Sequence, residues 1–520
     1  MADTSQDSMP SQVFPNRAVY LIALVFVFLG VINSTPLIPG WDNLWRGITG
    51  VSDLKVRSFA TEWFYPIVFF IMMVVVALKH SMWREWRGTP RAAFGAFMDA
   101  ALVIAAGAIS LTYLIEIDSV CLIDAMTGER ARIMAETLQA EIEFAETMGL
   151  PAPDTVEDPK CVATTGVWLV AIMGVSILVF LGYNIKVWGF PLVLVSILVA
   201  LYTIGTVLVW YFHGPEDINK YLMTKLGGEP RSFLDGVPNV HDALVNSASG
   251  ILGRFMHVIM NVVFPYIILG ALFGKSAGGQ TLIKLAFRWT RRLRGGPAHA
   301  AIVSSAMFGT ISGGPVVNVL STGVLTIPMM IKRGFSRVFA GGMEAAASSG
   351  GSIMPPVMGV AAFILAAMTA VPYRDVIIAA ALPAIAYFLC LFLSASFQSR
   401  KQGIEAFGEL TEDMRVTSED ILHLCQILLP ILLILILLLT PKDMVGCGAM
   451  GWLLGADAAM QGERCVVTSL PWILQIYQNA AGDAGATGWW AALLVTVLLF
   501  LDKDFRAKPR KVLDALAESG

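Results

Sequence analysis

Charged residues and cysteines are scarce in this sequence. Asp, Glu, Lys and Arg together make up 14% of its 520 residues, compared with about 25% in soluble proteins. The 36 basic and 39 acidic residues nearly balance, so no excess of positive charge indicates nucleic acid as a partner. The six cysteines are too few for a disulfide framework in a chain of this length. This composition argues against a disordered chain, a coiled coil and an ordinary cytosolic enzyme.

Catalytic and metal-binding motifs are also missing from the sequence. The six histidines are scattered, and none belongs to an HExxH motif or to another metal-ligand spacing. No GxSxG motif marks a nucleophilic serine. We therefore expect a protein that is not an enzyme and that needs no cofactor.

Apolar residues are abundant instead. Hydrophobic residues account for 56% of the chain, and the mean hydropathy is +0.68. A membrane-spanning helix needs about 20 mostly apolar residues. Ten stretches approach this description: 18–35, 62–79, 97–115, 166–184, 188–212, 254–274, 338–370, 376–397, 422–440 and 487–502. The segment 300–331 is also apolar but is interrupted by Gly and Pro. We predict an all-α polytopic membrane protein with about ten transmembrane helices and one re-entrant hairpin.

Lysine and arginine are concentrated in short loops, which sets the expected orientation of the spans. Basic clusters occupy 79–96, 275–298, 332–337 and 503–511. All of them lie on one side if ten spans alternate and the segment 300–331 enters and leaves on that side. Because Lys and Arg are enriched in cytoplasmic loops, we expect both termini in the cytoplasm.

The loops on the opposite side are long. Residues 116–165 are acidic, and 127–148 are expected to form an amphipathic surface helix; a second external loop is 441–486. These loops contain two possible disulfide pairs, Cys121 with Cys161 and Cys447 with Cys465. External thiols lie in an oxidising compartment, where disulfides form. The sequence does not show whether either pair meets in space, so disulfides and free thiols both stay open.

Two neighbouring segments break the pattern of ordinary spanning helices. The segments 308–328 and 341–359 place Gly, Pro, Ser and Thr within apolar surroundings. Non-helical backbone is tolerated at membrane depth only where it is buried or lines a cavity. Close helix packing through small residues is the alternative explanation, but two adjacent segments of this density favour a solute or ion pathway. The candidate pathway residues are Thr310, Ser312, Gly313, Gly314, Asn318, Ser321, Thr322, Ser348, Ser349, Gly350, Gly351, Pro355 and Pro356.

Three other polar residues lie in or beside predicted spans. Glu344 is the acidic residue nearest the second break. An intramembrane carboxylate is costly and is often functional. We nevertheless favour a position near the cytoplasmic entrance, in water or paired with Arg333 or Arg337. His257 and Asn261 lie one helical turn apart, and for these two we expect hydrogen bonds between helices rather than ligand binding.

Several consecutive motifs resemble the large membrane subunit of the TRAP (tripartite ATP-independent periplasmic) transporters. They are RGGP (294–297), FGTISG (308–313), NVLSTGVLTIP (318–328), EAAAS (344–348) and IMPPVMG (353–359). The set looks most similar to the TAXI-type fused permeases. Looser similarity covers about 166–285 and 372–440, and the basic segment 508–517 resembles the connector helix of the family.

The resemblance implies a secondary importer in the bacterial inner membrane. Such permeases take a small carboxylate from a periplasmic solute-binding protein, use a Na⁺ gradient as the driving force, and carry the solute by an elevator-like movement. Two inverted repeats each contribute a re-entrant hairpin. The implied organisation is a cytoplasmic N-terminus (1–17), small-subunit-like helices (18–115), an external loop (116–165), helices leading into the transport region (166–285), the transport region with its hairpin 300–331 and broken helix 338–370 (286–440), an external insertion (441–486), and a last span with the connector helix (487–520).

Two departures from the family pattern affect the expected site. Gly314 and Pro315 stand where related sequences usually have Ser and a small residue, so Na⁺ is expected at Ser312 and Asn318, with Ser348 and backbone carbonyls as further ligands. No second Gly-rich broken pair follows before residue 520. We therefore expect the chain to contain one of the two inverted repeats, an ion-transporter-like half repeat. We expect a separate membrane chain to supply the other inverted repeat. A truncated chain and a symmetric dimer of halves are the alternatives.

Two further functions fit the same sequence. A non-transporting membrane scaffold or receptor would present its external loops to a binding protein, and its hairpin would tolerate substitution. A carrier that works without a binding protein would take up solute in the absence of one. The leading hypothesis remains the permease component of a Na⁺-driven TRAP-type symporter.

Overall fold

A computed structural model describes residues 17–50, 56–59, 61–116, 138–139, 142–143, 167–213, 251–276, 278–369, 371–406, 416–447, 449–461 and 464–519. These residues are almost entirely helical, and several of their helices are long and apolar enough to cross a membrane. The protein is an all-α polytopic membrane protein, which confirms the predicted fold class. The possible pair of Cys121 and Cys161 lies outside the described residues, and so does the surface helix predicted at 127–148, apart from two helical residue pairs.

The chain divides into two compact units, of which the larger includes 20–58 and 258–520 and the smaller includes 59–257. The elements up to residue 263 are α1 (Arg17–Asn33), α2 (Trp41–Thr49), α3 (Thr61–Lys79), α4 (Met82–Glu85), α5 (Ala92–Glu116), α6 (Val167–Trp188), α7 (Phe190–His213), and π-helical turns at Ile251–Phe255 and Val258–Val263. Helices α3 to α7 belong to the smaller unit.

All later elements belong to the larger unit. They are α8 (Phe264–Lys275), α9 (Gly278–Thr290), α10 (Gly296–Ser312), α11 (Pro315–Lys332), α12 (Arg337–Gly350), a 3₁₀ turn (Gly351–Ile353), α13 (Val360–Thr369), α14 (Tyr373–Lys401), α15 (Ser418–Leu439), a second 3₁₀ turn (Lys442–Met444), α16 (Ala449–Leu453), β1 (Asp457–Gln461), β2 (Arg464–Ser469), α17 (Trp472–Ala480), α18 (Ala484–Leu499), α19 (Lys503–Ala507) and α20 (Arg510–Ser519).

The number of membrane spans is lower in the described residues than the sequence predicted. Six helices are long and apolar enough to cross a membrane, and two bent helix pairs raise this number to eight if each pair forms one span. Helices α1 and α13 are apolar but have only 17 and 10 residues. The prediction of ten spans therefore stays a prediction.

Polar contacts join helices within the smaller unit. Ser110 Oγ on α5 donates a hydrogen bond to the carbonyl oxygen of Pro66 on α3, at 2.9 Å. The hydroxyl of Tyr65, also on α3, lies 2.9 Å from His257 Nδ1. This contact confirms that His257 forms a hydrogen bond between helices. Both contacts satisfy polar groups that lipid could not hydrogen-bond.

Helix α1 is held by side chains from distant parts of the larger unit. Asn33 Nδ2 donates a hydrogen bond to Asn261 Oδ1 at 2.9 Å, which confirms the predicted role of Asn261. At the other end of α1, the hydroxyl of Tyr20 donates to Asp514 Oδ1 on α20 at 3.0 Å. The amphipathic helix α20 also packs on α8. The basic end of the chain is thus docked onto the larger unit.

The segment 441–486, predicted to be an external insertion, contains a β-hairpin that the sequence analysis did not predict. Strands β1 and β2 pair antiparallel, with Met460 opposite Cys465. Cys465 forms a disulfide with Cys447, and their Cα atoms are 5.9 Å apart. One of the two disulfide questions left open by the sequence is therefore answered. The bond closes a short loop on the predicted external side, where disulfides persist.

A buried aspartate joins α9 to α15 in the larger unit. Asp420 is 5% exposed and accepts hydrogen bonds from Thr281 Oγ1 at 3.1 Å and from Lys284 Nζ at 3.0 Å. Its carboxylate also accepts from the backbone amide of Thr417, which completes a capping box at the start of α15. One side chain therefore caps a helix and pairs with a lysine on its neighbour.

Candidate functional site

The segment 300–331 folds as two helices joined at two glycines. Helix α10 ends at Ser312, and Gly313 follows with φ +57°, a conformation that favours glycine. A Cβ atom at Gly313 would also overlap the carbonyl oxygen of Met358. Gly314 is extended, and Pro315 begins α11, a position where its missing N–H costs no hydrogen bond. Gly313 is therefore required by the turn and by the close approach of Met358.

The second Gly-rich segment lies directly against the first. Helix α12 ends at Gly350, a 3₁₀ turn covers Gly351–Ile353, and α13 begins only at Val360. A Cβ atom at Gly309 would overlap Gly351 Cα, and one at Gly351 would lie 2.9 Å from Asn318 Nδ2. Glycine at these positions lets the backbone of the broken helix touch α10 and the first turns of α11.

Asn318 ties the two helices of the hairpin together. Its side chain is completely buried, and Nδ2 donates a hydrogen bond to the carbonyl oxygen of Ser305 on α10 at 2.9 Å. Its Oδ1 lies 3.4 Å from the hydroxyl of Thr322, one turn along α11. Ser312 is half-buried, and its hydroxyl donates to the carbonyl oxygen of Phe308 at 3.2 Å. In the structure, Ser312 and Asn318 thus bond to protein groups near the break.

Glu344 is at the centre of a buried polar cluster, so the favoured prediction for this residue is wrong. Its side chain is completely buried and is not paired with Arg333 or Arg337. Four hydroxyl groups from α10, α11 and α12 contact its carboxyl group instead. They belong to Ser305 (3.3 Å), Thr322, Thr326 (2.5 Å) and Ser348 (3.4 Å).

The helix faces explain why Glu344 points inward. Thr322 and Thr326 are four residues apart on α11, so their hydroxyls lie on one face. Gly323 lies beside them, where a Cβ atom would be 3.2 Å from Glu344 Cγ. Ser348 is four residues after Glu344 on α12, so it shares the face of the acid. This spacing of hydroxyls around a lone acid was the available sequence signal for the cluster.

A cavity of about 730 Å³ opens beside the hairpin tip. Polar side chains in its lining include Ser276, Gln280, Ser312 and Ser321, and the backbone of Gly313 and Gly314 also borders it. Apolar residues of α8, α11 and α13 form much of the remainder. The volume falls within the range of small-molecule pockets. Four of the residues predicted from the first segment, 308–328, are therefore brought to one cavity: Ser312, Gly313, Gly314 and Ser321.

The remaining predicted residues have other surroundings. Thr310 donates to the Met307 carbonyl at 2.7 Å, and the exposed Ser349 donates to the Ala345 carbonyl at 2.8 Å. Both hydroxyls thus bond within their own helices. A Cβ atom at Gly350 would be too close to the ring of Tyr387 on α14, so this glycine serves packing.

The proline pair is fixed by α14. The hydroxyl of Tyr373 donates to the Pro356 carbonyl at 3.1 Å and to the Val357 carbonyl at 2.6 Å. Neither Pro355 nor Pro356 lines the described cavity. The two prolines therefore shape the loop between the 3₁₀ turn and α13, and they do not contribute to the lining of the cavity.

The family assignment follows from comparison with known sequences. The family described as "Tripartite ATP-independent periplasmic transporter, DctM component" matches residues 172–455, which include the hairpin, the broken helix and Glu344. The chain belongs to this family. Its match covers more than half of the sequence, so the DctM-type large-permease region extends well beyond the motifs.

Several curated proteins are similar to parts of this DctM-family chain. The uncharacterized protein y4mL of Sinorhizobium fredii is 28% identical over 35% of this chain and 44% of its own length. The C4-dicarboxylate TRAP transporter large permease protein DctM of Vibrio cholerae is 30% identical over 22% of this chain and 25% of its own length. The isethionate TRAP transporter permease protein DctMQ of Oleidesulfovibrio alaskensis is 36% identical over 19% of this chain and 15% of its own length. The chain thus spans less than half the length of these relatives.

Proposed function

We propose that this DctM-family chain is a membrane permease component of a TRAP-type secondary transporter that imports a small carboxylate-type solute. The observation that carries the proposal is the meeting of two Gly-rich helix breaks beside a cavity, at residues 309–314 and 350–359. Paired helix breaks are typical of transporter binding sites. The names of the similar permeases support a carboxylate or another small organic anion as the solute.

The start of α11 is suited to an anionic group of the solute. Its first amides have no partners within the helix, and the positive end of the helix dipole favours an anion. Gly314 and Ser321 line the same cavity and leave room for backbone and hydroxyl contacts. A solute carboxylate placed there would be held without a basic side chain.

Na⁺ is the proposed coupling ion, and the groups beside the break suit it. Na⁺ prefers hard oxygen ligands, which Ser312 Oγ, Asn318 Oδ1 and the carbonyl groups at the end of α10 can offer. Ser312 and Asn318 would hold the ion, whose binding would link solute movement to the ion gradient. Both side chains would exchange their present hydrogen bonds for the ion.

An elevator-like movement is the proposed mode of transport. Alanines of α10, α12 and α14 pack against each other in one buried cluster: Ala298, Ala301, Ala340, Ala347 and Ala395. Small residues allow close helix contact in membranes, so these helices are suited to move as one body with the cavity. The proposed location is the bacterial inner membrane, with both termini in the cytoplasm.

The proposed partners are a periplasmic solute-binding protein and a second membrane chain. The binding protein would deliver the solute, as the tripartite name of the family suggests. The second chain would supply an inverted repeat that pairs with the hairpin region of this chain, which we take to be similar to the TAXI-type permeases. Purification of the tagged chain from its native membrane, with identification of co-purifying proteins, tests both partners.

Solute uptake with hairpin variants tests the proposed function. The chain is expressed with its partners, and uptake of a labelled carboxylate is measured with and without a Na⁺ gradient. We expect Gly313→Leu and Asn318→Ala to abolish uptake. Gly341→Ala is the matched control, since a Cβ atom there has no neighbour within 4 Å. Unchanged uptake in both hairpin variants would favour the scaffold function, and uptake without the binding protein would favour an independent carrier.

A further inference from the structure

A polar pocket of about 320 Å³ lies within the smaller unit, between the ends of α3 and α6 and the short helix α4. Its polar lining consists of three basic residues, one acid, a histidine and a serine: Lys79, Arg84, Lys186, Glu85, His80 and Ser81. The volume is at the lower end of the range for small-molecule pockets. Because basic residues outnumber the acid, the pocket is suited to an anion.

The backbone that carries this lining is anchored to α5 and α6. Asp99 on α5 accepts hydrogen bonds from Ser81 Oγ at 2.7 Å and from the backbone amide of Met82 at 3.0 Å. The hydroxyl of Tyr183 on α6 donates to the His80 carbonyl at 2.9 Å. Asp99 is not part of the pocket lining, so its carboxylate serves this anchor. The basic side chains are therefore held on fixed backbone.

The positive charge of the pocket is only partly balanced by the protein. Lys186 Nζ contacts the carboxylate of Glu85 in an ion pair. Among the residues that the structure describes, Lys79 and Arg84 form no ion pair. Ammonium and guanidinium groups form charge-assisted hydrogen bonds with phosphate oxygens. Two cations of the pocket thus suit a phosphate group from outside the protein.

The pocket lies where phospholipid headgroups are expected. The candidate spans Phe64–Glu85 and Ala171–Trp188 both end beside it, and Lys and Arg near the ends of spanning helices extend toward the headgroups. Leu78, Trp83 and Ile185 are exposed, and each directly precedes a basic residue of the pocket. Tryptophan is enriched at membrane interfaces. Apolar surface for an acyl chain therefore adjoins the charged pocket, a feature that a free phosphate ion would not need.

We propose that this pocket binds the phosphate group of an anionic phospholipid. Lys79 and Arg84 donate to the phosphate oxygens, and Lys186 is a further donor. The acyl chains lie along the exposed apolar residues at the ends of α3 and α6. Basic pockets between spanning helices on the cytoplasmic side, where the sequence predicts this loop, are typical of sites for anionic lipids. The proposal concerns the smaller unit alone and does not depend on solute transport.

Native mass spectrometry of the purified full chain in detergent, titrated with defined lipids, tests the proposal. We expect the wild type to bind phosphatidylglycerol more tightly than the zwitterionic phosphatidylcholine. The double variant Lys79→Ala/Arg84→Ala should bind phosphatidylglycerol at least about fivefold more weakly, since one basic residue at an anionic membrane surface contributes a factor of about five. Equal affinity of the wild type for the two lipids, or an unchanged affinity of the double variant for phosphatidylglycerol, would overturn the proposal.

The matched control is Arg400→Ala/Lys401→Ala. It removes two exposed cations at the end of α14, which lie outside the pocket. This control should bind phosphatidylglycerol as the wild type does. An equal loss of affinity in both double variants would show a general effect of net charge and would overturn the assignment to this pocket.

Glu85→Gln gives a second test that keeps every basic residue and does not require the double variant to fold. It removes the acid of the pocket and releases Lys186, so phosphatidylglycerol should bind more tightly than to the wild type. Excess inorganic phosphate should not displace the lipid from the wild type. Unchanged binding in Glu85→Gln, or displacement by inorganic phosphate, which would indicate a site for a free anion, would overturn the proposal. These measurements do not involve uptake, which tests the transport function separately.

Discussion

Two Gly→Ala substitutions in the larger unit should change stability in opposite directions. At Gly309 a new methyl group would overlap the backbone of Gly351. No side-chain rotation can relieve a clash with backbone, so α10 and the 3₁₀ turn must separate. Overpacking of this kind costs about 1–3 kcal/mol. Alanine gains only about 1 kcal/mol of helix propensity over glycine, so we expect a net loss of up to about 2 kcal/mol.

Gly341 provides the comparison because it lies in α12, with open space around the position of a Cβ atom. Here only the propensity term acts, and Gly341→Ala should stabilise the protein by about 0.5–1 kcal/mol. Both variants are compared with the wild type by reversible unfolding in mixed detergent micelles. If Gly309→Ala is as stable as Gly341→Ala, the close contact between α10 and the 3₁₀ turn is wrong.

Three further variants test other contacts. Asp420→Ala removes the side-chain half of the capping box and the partner of Lys284. It should cost at least about 2 kcal/mol in the same unfolding assay, and an effect under about 0.5 kcal/mol would contradict the contact. Replacing Cys447 and Cys465 by serine should destabilise the β-hairpin by about 3 kcal/mol. Limited proteolysis should then cleave the segment 441–486 faster than in the wild type. Equal cleavage rates would contradict a stabilising role of the disulfide. Ser349→Ala should leave uptake unchanged, because its hydroxyl is exposed and bonds within its own helix; a loss of uptake would place Ser349 in the pathway.

The helices and the glycine breaks were predictable because their signals are local. Long apolar stretches produced α3, α5, α14 and α15 close to their predicted positions. The break at Gly313 and Gly314 was also predictable, since glycine permits the turn and proline begins the next helix. Both signals can be detected within about 20 consecutive residues.

The contacts of Glu344 and the β-hairpin were not predictable by the same means. The environment of Glu344 depends on hydroxyls from three helices, and Ser305 lies 39 residues before it. Proximity to Arg333 and Arg337 in sequence suggested ion pairs, but packing of α12 between α10 and α11 turned the acid inward. The strands at 457–469 are short and contain polar residues, so no apolar alternation marked them.

Na⁺-driven uptake by the intact complex tests the central claim most directly. The complex is purified from native membranes through a tag on this chain, reconstituted in liposomes, and supplied with its binding protein and a labelled small carboxylate. We predict that solute accumulates inside only when an inward Na⁺ gradient and the binding protein are both present, and that Asn318→Ala abolishes accumulation. Accumulation that persists in Asn318→Ala, or that ignores the Na⁺ gradient, would contradict the account of the hairpin as the ion and solute site.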